Sequence, residues 1–200
     1  MIDKTTTAPV DGLATVLGAT GDLVAAVRHD QWSSPTPCPE WTVRELVNHL
    51  VLGNRLFTGI LRGEAAVPPG ALDPKVRDAL GDDPAATYRR AAAELLGAFR
   101  QPGVLERVFE VPVGPVPGIA AVHLRAVEEL VHGWDLAQAT GQQPRFPDDL
   151  VEQGLEFTRG KLADVPPDRS PFAPPRPVPG HASPLDRLAA LLGRAIEPPR

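Results

Sequence analysis

The chain has 200 residues, 42% hydrophobic and 22% charged, and a formal net charge of −5 at pH 7. This suits one soluble domain, alone or with a small appendage, and the acidic balance with no lysine–arginine run argues against a nucleic-acid binder or an anionic membrane surface. A single cysteine excludes an intrachain disulfide and an all-cysteine metal site. The opening "MIDKTTTAPVDGL" lacks a signal-peptide pattern, and no apolar run is long enough to cross a bilayer, so a cytoplasmic location is the default expectation.

In chain order, Leu13, Val16, Leu17, Leu23 and Val27 recur at helical spacing and predict a first helix over 11–30. Pro35, Pro37 and Pro39 then stiffen a linker that cannot be helical. Thr42 and Glu45 form a capping box for a second helix running to about Arg62, with Trp41 at the preceding position suited to a hydrophobic staple against Leu46. Residues 63–83 read as a loop with one helical turn around Pro74 to Leu80. A third helix starts with Asp83 as cap and Pro84 at its first position. "LERVFEVPVGPVPG" reads as a short β-hairpin or as two extended segments at the bundle edge.

The fourth long helix is "IAAVHLRAVEELVHGWDLAQATG", ended by Gly141. A fifth fits "PDDLVEQGLEFTRGKLADV", and a short last helix follows the proline-dense 166–180, capped by Ser183 with Pro184 next. With no internal repeat and no βαβ pattern, the expectation is an all-α four-helix bundle, with the hairpin before its fourth long helix and accessory C-terminal helices. Residues 1–165 form the bundle; the proline-rich segment and short helix of 166–200 pack on the same domain.

The chemical inventory is thin. "GATGDL" lies within a helix and is no dinucleotide fingerprint, and there is no G-x-S-x-G elbow. Glu128 and His132 stand at i and i+4 on the fourth helix, one turn apart on one face. That spacing suits two ligands on one metal ion, and equally an ordinary surface pair. The helix is apolar almost all round, as central buried helices are, and a buried glutamate needs a partner. His49 sits at the edge of the inward stripe of the second helix, where a core histidine is the ordinary role. His123 reads as a packing residue, and His29 and His181 as exposed. Cys38 stands before a helix start, where a thiol can be activated, but a small buried hydrophobe is the commoner role. Trp32, Trp41 and Trp134 read as core or cleft packing.

"TPCPEWTVRELVNHL", "HLRAVEELVHGWDLAQATGQ" and the terminal "LDRLAALLGR" together resemble the DinB-like superfamily of metal-binding four-helix bundles. The nearest branch is actinobacterial, related to the N-terminal domain of mycothiol-dependent maleylpyruvate isomerase. The resemblance implies a divalent metal held by His49 from the second helix and by Glu128 and His132 from the fourth. Zinc is the default, with nickel or iron as options. It further implies a mycothiol-type thiol that adds to a small electrophile, as in a transferase or isomerase. A thiol-independent hydrolase or lyase and a non-catalytic small-molecule-binding bundle are the alternatives. It also makes Cys38 a packing residue of the turn. Asp135 is expected to orient a ligand or to sit at a solvated helix end, and Arg125 to bind an anionic substrate or stand exposed. The expected partners are small molecules, with the chain a monomer or homodimer.

Overall fold

Thr42 starts the second helix by a reciprocal cap. Its Oγ1 accepts from the Glu45 amide at 3.3 Å, and the Glu45 carboxylate accepts from the Thr42 amide at 2.8 Å, partnering donors that a helix start otherwise leaves open. The proline-rich stretch partners two more: the Val43 amide donates to the Ser34 carbonyl and the Arg44 amide to that of Trp32. Thr36 Oγ1 donates to the Trp41 carbonyl at 2.9 Å and accepts from the Cys38 amide at 3.2 Å. Residues 32–42 are thereby a closed clip, docked by backbone bonds onto the helix that follows.

The structure, a computed structural model, describes residues 4–64, 68, 70–163, 165 and 172–196; the first part of the proline-dense segment, 166–171, lies outside them. Six helices are described: α1 Lys4–Ala25, α2 Val43–Arg62, α3 Pro84–Phe99, α4 Gly118–Thr140, α5 Asp148–Leu162 and α6 Pro184–Leu191. The expected hairpin is present as β1 Val108–Val111 and β2 Gly114–Pro117, paired antiparallel with Phe109 opposite Val116. No described helix is long and apolar enough to cross a membrane.

Two expectations shift. α1 begins seven residues before the expected start at residue 11 and ends at Ala25, not residue 30. Pro9 is tolerated in its second turn at the loss of one helical hydrogen bond. The early end follows from Gln31, which is buried and donates to the Thr140 carbonyl at the end of α4. The loop over 70–83 contains turns but no helix. Asn48 holds it instead, donating to the carbonyls of Pro74 and Arg77 and accepting from the Ala79 amide.

α1, α2, α3 and α4 form the bundle, and α4 is its centre. It packs against α1, α2, α5, α6 and both strands, and Leu130, Val131, Trp134, Leu136 and Ala137 are all buried around its circumference. Burial on every side explains its nearly uniform apolarity.

One polar cluster lies inside this core. Arg125, 1% exposed, is a correction to the sequence reading: it does not stand on the surface, nor does it line the cleft beside Glu128. Its Nη2 donates to Glu129 Oε1 at 3.0 Å and to Asn54 Oδ1 at 3.1 Å. Asn54 Nδ2 and the Tyr88 hydroxyl donate to the two Glu129 oxygens at 3.1 and 2.5 Å. Burial and the adjacent Glu129 charge hold the Tyr88 phenol well above its ordinary range, so it remains a donor. A Cβ at position 53 would lie 2.6 Å from Arg125 Nη1, so any larger residue there has to displace the guanidinium. Removing one member of a buried ion pair strands the other. Arg125→Met is therefore expected to lower unfolding free energy by about 3–5 kcal/mol in urea titrations.

Candidate metal centre

The two residues of "NH" in "LVNHL" act together. Asn48 ties the 70–83 loop against α2, and that loop brings the Leu72 carbonyl within 2.8 Å of His49 Nδ1. With Nδ1–H donating to that carbonyl, His49 Nε2 is the nitrogen left to face the cleft. It points at Glu128 Oε2, 3.2 Å away. His132 is set in the same manner. Its Nδ1 lies 3.0 Å from Asp135 Oδ2, which leaves its Nε2 facing the same Glu128 oxygen at 3.5 Å. The two imidazoles stand edge to face, ring centres 5.1 Å apart.

One ligand atom from each of His49, Glu128 and His132 falls within a common 4.8 Å. The structure thus brings together the three residues expected as ligands, two buried and Glu128 part-exposed. Asp135 is fully buried and sits against His132 as an orienting acceptor would. His29 and His181 are exposed, and His123 stacks on Phe157 at 5.1 Å; all three lie away from the triad's cleft.

The triad floors a cleft of about 370 Å³. Trp41 forms one side, its ring centre 4.5 Å from that of His49 and 5.7 Å from that of His132. Leu72, Val131, Phe172 and Leu192 add apolar surface, and Arg194 is the cation in the wall. Cys38 also lines the cleft and is more than a packing residue. Its thiol donates to Asp135 Oδ2 at 3.4 Å and accepts from Arg194 Nη2 at 3.1 Å. The sequence reading did not single out Arg194 or Asn48. The one available signal for Arg194 was its place at the end of the terminal signature "LDRLAALLGR".

Burial disfavours the Glu128 carboxylate, but hydrogen bonds from His132 and His49 outweigh that and hold its pKa well below the ordinary 4.5. Burial likewise disfavours the His132 cation, and its bonds to Asp135, Cys38 and Glu128 override this and raise it well above 6.5. Without a metal, a proton does part of the work of a cation among these acceptors.

The fold and the meeting of a histidine on α2 with Glu-x-x-x-His on α4 define a class: helical bundles with a candidate metal triad drawn from two helices. Residues 13–137 match the Mycothiol maleylpyruvate isomerase N-terminal domain, and the chain belongs to that family. It is similar to the Uncharacterized protein Rv0738 of Mycobacterium tuberculosis, 38% identical over 177 residues that cover 87% of this chain and 91% of that one. The Uncharacterized protein Rv0036c of the same organism is 29% identical over 143 residues, 60% of this chain and 52% of that one. The crystal structure of the mycothiol-dependent maleylpyruvate isomerase has the same fold, with a TM-score of 0.60 over 75% of this chain and 67% of that one, at 14% identity.

The two shifts have opposite signs in pH. Glu128, held low, contributes stability above pH 4.5 that is lost as pH falls through its folded pKa. His132, held high, contributes stability below pH 6.5 that is lost as pH rises through its folded pKa. In chelator-treated protein the melting temperature is therefore expected to fall on both the acid and the alkaline side of that window. A divalent cation, were the triad to hold one, would remove the alkaline loss by replacing the proton. Thermal melts across pH, with and without zinc, check this.

Proposed function

We propose that this chain holds one divalent cation on His49 Nε2, His132 Nε2 and Glu128 Oε2, and works with a small-molecule thiol of the mycothiol type on a small electrophilic substrate, as a transferase or isomerase. The observation that supports this best is the convergence of three electron-rich atoms, each set by its own hydrogen bond or helical position, on the floor of one cleft. Two nitrogens and one oxygen, with no further protein donor closing the set among the described residues, match the donor chemistry of a catalytic zinc site. The same donors accept nickel or iron, and zinc is the first choice because nothing in the cleft calls for redox chemistry. When bound, the ion supplies positive charge that favours the thiolate form of a thiol at neutral pH.

The residues of the chain do the rest. His49 and His132 bind as neutral imidazoles with their Nδ1 protons already committed to Leu72 and Asp135. Glu128 contributes one negative charge, which leaves a net charge of roughly +1 on a dication. Trp41, Leu72, Val131 and Phe172 form apolar walls that exclude water and strengthen electrostatic interactions within the cleft.

Elemental analysis of the purified protein is the first test. About one metal per chain is expected in the parent, with His49→Ala and His132→Ala each losing it while staying folded. Metal-loaded parent should then turn over or adduct an electrophile only when mycothiol is added. Turnover without a thiol would assign hydrolytic or lyase chemistry instead, and metal-free parent would refute the site.

A further inference from the structure

Asp135 can orient His132 only if the carboxylate is itself held, and the group that holds it comes from the far end of the described chain. Arg194 Nε donates to Asp135 Oδ1 at 3.2 Å and Nη2 donates to Oδ2 at 2.8 Å, the two-bond fork for which a planar guanidinium is shaped. The Arg194 side chain is 11% exposed and that of Asp135 0%. Nη2 reaches Cys38 Sγ as well, at 3.1 Å, and Nη1 donates to the Leu192 carbonyl at 3.0 Å. Asp135 accepts additionally from His132 and Cys38. Arg194 has no hydrogen bond to His49, Glu128 or His132; it reaches His132 chiefly through that carboxylate, and more weakly through Cys38, whose Sγ lies 3.9 Å from His132 Nδ1.

The surrounding fold is arranged to deliver this one side chain. Trp134 Nε1 donates to Asp186 at 2.9 Å, anchoring α6 to α4 one residue from Asp135. Past α6, the amides of Gly193 and Arg194 donate back to the carbonyls of Ala190 and Ala189. Gly193 adopts the left-handed conformation, φ 87°, and a Cβ there would lie 2.7 Å from that of Ala173. The chain is turned back at this point and the guanidinium enters the cleft.

We infer that Arg194 is a positioning residue of the candidate metal centre: it clamps Asp135, and through Asp135 it fixes the tautomer and ring orientation that aim His132 Nε2 at the cation. This rests on the cation site proposed above. Partners one step removed from the metal commonly govern affinity about 10–100-fold.

The test uses the full chain. Zinc affinity is measured by chelator competition, and the visible spectrum is recorded after cobalt loading, for the parent, Arg194→Met, Arg194→Lys, Asp135→Asn and the Arg194→Met/Asp135→Asn double variant, with His49→Ala as control. Arg194→Met is expected to weaken zinc about 10–100-fold and shift the cobalt spectrum, with Arg194→Lys recovering part of the affinity. The double variant should be scarcely weaker than Asp135→Asn, because both act chiefly through one carboxylate. Parent-like affinity and spectrum in Arg194→Met, or losses that simply add in the double variant, would overturn the inference. If those results came with His49→Ala still losing metal, the cation site would stand and the positioning role alone would fall. If His49→Ala bound zinc as the parent does, the site and the inference would fall together.

Discussion

Three electron-rich atoms meeting at one point in a mostly buried space is the constraint around which this protein is organised. Such atoms repel unless something positive lies among them, so the arrangement exists only because the chain enforces it. Each atom is enforced by a separate local device. A loop stitched down by Asn48 gives His49 its acceptor. A buried carboxylate does the same for His132. The helical repeat puts Glu128 one turn before His132, on the same face.

α4 translates core packing into site geometry. Glu128 and Glu129 are neighbours in sequence, about 100° apart on the helix, and their environments are opposite. Glu128 opens to the cleft, whereas Glu129 is fully buried among Arg125, Asn54 and Tyr88. A rotation of α4 that displaced one would displace the other. The ionic cluster in the core, with no cleft contact of its own, thus sets the angle at which Glu128 and His132 enter the cleft.

Much of this was legible because its causes are local. The capping box at Thr42, the proline starts of α3 and α6, the hairpin and the i, i+4 pair on α4 all depend on residues a few positions apart. His49 joined the pair through family resemblance, since its own context permitted a core histidine. What escaped was set by distant contacts. Cys38 and Arg194 meet across 156 residues, and Arg125 and Asn54 across 71. An arginine beside a candidate metal triad suggests a substrate clamp until its carboxylate partner is seen to lie inward. The early start of α1 escaped for another reason, since its first two turns carry no apolar stripe and include a proline.

The cleft draws its two sides from different parts of the chain. Its floor is made by α2 and α4, inside the bundle, while the wall opposite is made by residues 172–173 and 192–194, which lie outside the four-helix core. That wall is tied to the core, since Leu192 is buried in it and Phe172 packs against it. A change of side chain at 172 or 173 would therefore reshape the cleft from a part of the chain that carries none of the three candidate ligands.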